Sequence, residues 1–286
     1  MAVVTPFETR LVPVVGTDAH EGPVYVAAEN ALYFTTLPKP GPLVSIKRLA
    51  LDGLDVSVVR RHANSANGMT LDVAGRLIVC EQGTLSEPAR ISRVDPATGA
   101  VETVVDNFRG LPLNSPNDIV ARRDGTIWFT DPSYGYLQGF RPEPQFGDHV
   151  YRYDPASGRL DVAADGFDKP NGLAFSPDER LLYVSDNGAP HHLLAFDVGA
   201  DGGLTGRRRL FVGTPEHPDG VKVDAAGRIY VSAATGVQVL DPDGSLIGEI
   251  RLPGAVNFAF GGTDRNILFI TADAAVWAAT LEAKGA

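Results

Sequence analysis

The run Asn171-Gly172-Leu173-Ala174-Phe175, followed across a turn at Asp178 by Leu181-Leu182-Tyr183-Val184, decides the fold because the chain repeats its form six times. Each copy opens on a polar residue, continues through a short apolar strand, turns, and enters a second, more apolar strand. Upstream stand Glu21-Gly22-Pro23-Val24-Tyr25 with Ala31-Leu32-Tyr33-Phe34, and Asn67-Gly68-Met69-Thr70-Leu71 with Arg76-Leu77-Ile78-Val79. Asn117-Asp118-Ile119-Val120 with Thr126-Ile127-Trp128-Phe129 comes next. Downstream stand Asp219-Gly220-Val221-Lys222-Val223 with Arg228-Ile229-Tyr230-Val231, and Asn257-Phe258-Ala259-Phe260 with Ile267-Leu268-Phe269-Ile270. The mean spacing of the opening residues is about 47, within the range of propeller blades.

Two further strand-like runs complete most copies. Ala89–Val94, a turn at Asp95-Pro96 and Val101–Val105 are one example; His149–Tyr153 with the Asp154-Pro155 turn, and Val237–Leu240 with Asp241-Pro242-Asp243-Gly244, are others. Short β-branched and aromatic runs punctuated by Asp-Pro and Asp-Gly signal hairpins, and no helical periodicity is sustained over ten residues. The expectation is an all-β, six-bladed β-propeller with four antiparallel strands per blade, one domain over residues 1–286. The sixth copy runs out of chain after Val276–Ala279, while Thr9–Val15 is an unused strand at the other terminus; it is expected to close the last blade. A single β-sandwich would not need six near-equal copies.

Composition narrows the function. The 286 residues carry 44% hydrophobic and 21% charged side chains, enough for a core, and a formal charge of −10. The basic face of a nucleic-acid binder is missing, and Arg207-Arg208-Arg209 reads as a charged strand edge. One cysteine, Cys80, excludes an internal disulfide and Cys-based zinc motifs; it ends an apolar run and reads as a buried, inert thiol. No segment approaches the length of a membrane span, and no leader is evident, so a cytoplasmic location is expected. No nucleic acid, membrane or obligate protein partner is implied. His-Glu-x-x-His, Gly-x-Ser-x-Gly and phosphate-loop motifs are missing, and Asp241–Gly244 lacks calcium-loop spacing.

In a propeller the first strand of each blade lines the channel, so Glu21, Asn67, Asn117, Asn171, Asp219 and Asn257 converge near one mouth. All carry side-chain oxygens of the kind hard divalent cations take. Asn and Asp before Gly are also ordinary turn formers, and taken singly that is the simpler reading of Asn67 and Asn257. It explains Glu21 poorly. Proline precedes Asn117, Asn171 and Asp219, fixing the approach to each. His217, two residues before Asp219, is a candidate substrate contact or a surface residue; His149 reads as structural.

Ser115-Pro116-Asn117-Asp118-Ile119-Val120, with Asp124–Gly135 behind it, resembles the signature of the SMP-30/gluconolactonase family. Pro170–Asp178, Pro218–Asp224 and Phe258–Gly262 fit it as well. The resemblance runs from Glu21 to about Ala272. It implies a six-bladed propeller hydrolysing a sugar lactone such as gluconolactone or xylonolactone, with one divalent ion held by Glu21, Asn171 and Asp219. It also implies Asp219 as general base and Asn117 at substrate or metal-bound water. Asn67, Ser115 and Tyr134 are further expected substrate contacts, with the loop Gln138–Asp148. Ser115 stands where the animal branch carries Arg, so the bacterial lactonase branch fits better. Oxygen-only ligands favour a harder ion: Ca²⁺ first, with Mg²⁺, Mn²⁺, Zn²⁺ or Fe²⁺ as alternatives. Phosphotriester or other ester hydrolysis, and calcium binding without catalysis, stay open alternatives.

Overall fold

The computed structural model describes residues 10–38, 43–189, 191–212 and 217–286. Each repeated phrase forms the two inner strands of a four-stranded antiparallel sheet, and there are six such sheets. Blade 1 runs Ala19–Val26, Ala31–Thr36, Ile46–Ala50 and Asp55–Arg60; blade 2 runs Ala66–Leu71, Leu77–Glu81, Arg90–Val94 and Val101–Val105. Blade 3 runs Ile119–Ala121, Ile127–Asp131, His149–Asp154 and Arg159–Ala164; blade 4 runs Pro170–Phe175, Leu181–Asp186, His192–Val198 and Leu204–Val212. Blade 5 runs Val221–Val223, Ile229–Ala233, Gly236–Leu240 and Leu246–Arg251. Blade 6 takes Asn257–Gly261, Ile267–Thr271 and Ala275–Thr280 from the end of the chain, and Leu11–Gly16 as its outer strand.

That outer strand pairs Leu11 with Ala279 and Gly16 with Ala275, around an irregularity between Pro13 and Val15. The expected closing strand is thus present, shifted by a residue; Thr9 lies outside the described residues. Pro13 is tolerated because no further strand needs its missing N–H. Arg207–Arg209 sit on the outer strand of blade 4, as read from sequence. The hairpin Asn107–Phe108/Leu111–Pro112 and the one-turn helix Tyr134–Leu137 were not anticipated. Neither has a periodic pattern long enough to read. Among the described residues no helix is long and apolar enough to cross a membrane.

The core is six clusters, each between successive blades. Leu32, Phe34, Phe269 and Val276 join blades 1 and 6, for example, and Trp128, Phe175, Leu182 and Val184 join blades 3 and 4. Second strands, covered on both faces, are almost wholly buried: Ala31–Thr36, Leu77–Glu81 and Ile127–Asp131 throughout. Burial on both faces is why their sequences are continuous apolar runs rather than alternating ones. Cys80 is buried there as a free thiol, and burial pushes it well above its usual range.

Glycine follows the opening residue in four copies because blades approach closely at the axis. A Cβ on Gly22, which also has φ +56°, would lie 2.4 Å from the Asn67 carbonyl oxygen; one on Gly172 would lie 2.3 Å from that of Asp219. These residues pack the ring and are not turns. Asn67 and Asn257 lie inside strands Ala66–Leu71 and Asn257–Gly261, so their reading as turn formers is corrected.

Candidate functional site

The six opening residues stand at or just before the first strands of the six blades, and those strands pack against one another around the axis. The second strands supply much of the hold on these residues. Thr35 Oγ1 donates to the Asn67 carbonyl (3.2 Å), Thr130 Oγ1 to that of Asn171 (2.7 Å) and Ser185 Oγ to that of Asp219 (2.6 Å), each reaching from one blade to the next. Thr271 Oγ1 donates to the Asn257 carbonyl at 3.0 Å. This row was available in the sequence as a small polar residue after the apolar pair of every second strand: Thr35, Cys80, Thr130, Ser185, Ser232 and Thr271.

Glu21 is 4% exposed and accepts from Asn257 Nδ2 at 2.9 Å and from the Gly22 amide at 3.1 Å. Asn257 in turn accepts the Phe258 amide through Oδ1, so it orients Glu21 and faces no open space. Asn171 donates from Nδ2 to the Tyr134 hydroxyl at 3.4 Å, which brings the one-turn helix over the ring. Burial raises the Asp219 carboxyl well above the usual range, and the negative charges of Glu21 and Asp118 push it the same way, against a hydrogen bond from Asn171. Glu21 is raised too, first by burial. Burial and the Asp219 charge hold the Tyr134 hydroxyl protonated.

Four acceptor oxygens around the axis are shielded and have no hydrogen-bond partner among the described residues: Asn67 Oδ1, Asn117 Oδ1, Asp219 Oδ1 and Asp118 Oδ2, the last with the Lys222 ammonium 3.8 Å away. A buried acceptor left unpaired costs about 1–3 kcal/mol, and four together is a collective demand for something positive. Two mutually repelling buried carboxyls and amide oxygens are the donor set a hard divalent cation takes. Among the described residues no three His, Cys, Asp or Glu side chains gather as a metal cluster; the candidate set is two carboxylates completed by amides.

Beside the ring, over blades 1 and 2, opens a cavity of about 430 Å³. Its lining includes His20, Asn67, Gln82, Val44 and, from the predicted loop, Phe140. It shares Asn67 with the ring, so the recess and the polar centre adjoin without coinciding. Arg141, missed in the sequence, anchors that loop by donating to the carbonyls of Asn114, Leu113, Thr84 and Glu87 at 2.9–3.2 Å. Its partners are backbone atoms from two blades, which leave no signature in a sequence.

The expectation of Ser115 as a substrate contact is corrected. It is fully buried; its hydroxyl donates to the Pro132 carbonyl (2.6 Å) and accepts the Gly135 amide (3.0 Å), so it positions the Tyr134 helix. His217 is exposed and packs edge-on to His191, ring centroids 4.5 Å apart, with Nδ1 3.1 Å from Asn187 Oδ1. His149 packs edge-on to Tyr151, a structural place.

The chain is 33% identical over 279 residues to a gluconolactonase of Zymomonas mobilis, covering 88% of this chain and 75% of that one. A solved gluconolactonase of Xanthomonas campestris superposes with a TM-score of 0.86 at 37% identity, covering 96% of this chain and 90% of that one. A calcium-binding regucalcin of Agrobacterium tumefaciens shares the fold, with a TM-score of 0.79 at 19% identity, covering all of this chain and 98% of that one. The family model for the SMP-30/Gluconolactonase/LRE-like region matches residues 19–274, and with the repeat, the ring and these relatives the chain belongs to that family.

Proposed function

We propose that this protein hydrolyses a sugar lactone to the sugar acid, using one divalent cation held by Glu21, Asn171 and Asp219. The observation that carries the reading is the set of unpaired buried oxygens at the ring, above all Asp219 Oδ1. The gluconolactonase relatives supply the substrate class. The chemistry supplied by a bound divalent cation is Lewis-acid polarisation of the lactone carbonyl.

The chain's own groups do the rest. Asp219 accepts a proton from the attacking water. Asn117 Oδ1, without a partner, accepts from a sugar hydroxyl or from that water. Tyr134, held protonated, donates to the bound sugar, and Asn171 fixes its oxygen. The ring C–O bond breaks, the ring oxygen departs as a hydroxyl after taking a proton from solvent, and the acyl carbon becomes the carboxylate. The exocyclic part of the lactone sits in the adjoining cavity against Asn67, Gln82 and Phe140, where no Lys or Arg lines the wall among the described residues. That lining suits a neutral polyol. Calcium is the first candidate ion, since every donor is an oxygen.

The test is opening of gluconolactone and xylonolactone by EDTA-stripped protein, before and after each divalent ion is returned, beside an organophosphate triester. Loss of lactone opening on stripping and its recovery with metal are expected. Undiminished opening by stripped protein would end the metal reading, and turnover of the triester alone would end the lactone reading.

A further inference from the structure

We propose that Lys222 is a tethered counter-ion that fixes the charge of the channel site at the value one divalent cation neutralises, and so sets that ion's affinity. The inference rests on the metal reading above and goes beyond it, because Lys222 touches neither the ring oxygens assigned to the ion nor the cavity assigned to substrate.

Lys222 sits in the inner strand of blade 5, three residues after Asp219. Its neighbours Val221 and Val223 are buried in the inter-blade core, which turns Lys222 to the other face of the strand, toward the axis. Nζ lies 3.8 Å from Asp118 Oδ2, a contact from blade 5 to blade 3 across the channel, and 3.1 Å from the Val221 carbonyl. Asp118 is 2% exposed; its Oδ1 accepts the Ile119 amide at 2.9 Å, while its Oδ2 has no hydrogen-bond partner. The Lys222 contact to Oδ2 is therefore one of charge.

Asp118 belongs electrostatically to the ring, since its charge bears on both Glu21 and Asp219. Of the other cations nearby, a charged His20 also favours the Glu21 carboxylate. His20, beside Glu21, has Nδ1 2.6 Å from Asp273 Oδ1; Arg265, the other cation bordering the lower channel, donates to the Ala286 carbonyl at the far mouth. Three buried carboxyls, Glu21, Asp118 and Asp219, thus share the channel with the Lys222 ammonium; burial opposes their ionisation, and a bound cation that ionised all three would face a net charge of −2. Asp118 is shielded while Lys222 is 28% exposed, so the charge acts over several ångströms with partial screening. Lys222 repels an incoming cation while balancing a carboxylate that would otherwise attract it.

The experiment is calorimetric titration of the EDTA-stripped full chain with calcium chloride at constant pH and ionic strength, with circular dichroism and melting to establish folding. Lys222→Met is expected to bind Ca²⁺ about tenfold tighter or more, Asp118→Asn weaker by a similar factor, and Lys222→Arg as wild type. Should Lys222→Met fail to fold, Lys222→Gln gives the same reading. A purely structural pair would lower the melting temperature and leave affinity untouched. A folded Lys222→Met or Lys222→Gln with unchanged or weaker affinity overturns the proposal and leaves the metal reading intact. Wild type that binds no divalent ion fails the metal reading itself and takes this inference with it.

Discussion

Two sets of acids, one at the ends of second strands and one at the axis, are treated in opposite ways. At the ends of second strands, Glu81, Asp131 and Asp186 are supplied with donors. Glu81 takes Arg60, Arg90, Asn64 and Ser92; Asp131 takes the Asn114 and Ser115 amides; Asp186 takes the Asp168 and Lys169 amides. These clamps hold the loops leading into the first strands. At the axis, Asp219 Oδ1 and Asp118 Oδ2 are denied hydrogen bonds although both atoms are shielded from solvent. A fold that satisfies one set and withholds donors from the other has placed its binding capacity at the axis.

The sharpest way to break this comparison is Asp219→Asn. Lactone opening should fall about a thousandfold, while the melting temperature of the stripped protein should hold or rise, since one of two repelling carboxyls is gone. A clear fall in melting temperature would place Asp219 with the clamps. Glu81→Ala should do the reverse, destabilising by about 3–5 kcal/mol in urea unfolding because Arg60 and Arg90 lose a buried partner, with calcium affinity in the folded fraction retained.

A pH effect sharpens the contrast within the clamps. Burial holds Asp131 up at about 7, with the two amide donors only partly opposing it. Its folded value lies above its unfolded one, so its contribution favours the folded state at acid pH and is lost as pH climbs from about 4 through 7. The stability of wild type relative to Asp131→Asn should decline by roughly 1 kcal/mol per pH unit across that window and level off above it. A flat difference would mean the amide donors fully compensate burial.

Much of this was legible because the repeat is written in residues whose type is forced by geometry. Glycine beside Asn67 and Asp219, apolar second strands and Asp-Pro turns announce six blades, and the opening Glu21, Asn171 and Asp219 announce an oxygen-lined axis. What stayed hidden depends on partners from distant segments. Ser115 looked available because nothing in its surroundings tells that Pro132 and Gly135 engage its hydroxyl. Asn257 read as a turn former because its bond to Glu21 spans 236 residues. The hydroxyl row at Thr35, Thr130 and Ser185 was visible as a pattern, but its meaning needs the next blade's carbonyl beside it.

The pairing of Leu11–Gly16 with Ala275–Thr280 has a consequence for biosynthesis. During translation Leu11–Gly16 emerges long before its partner Ala275–Thr280, with the other five blades made between them. Until then the flank of blade 1 carrying Leu32 and Phe34 lacks the Phe269 and Val276 that cover it. The nascent chain therefore carries an open apolar seam until Ile267–Thr280 is made, and closing the ring draws Glu21 and Asn257 into contact.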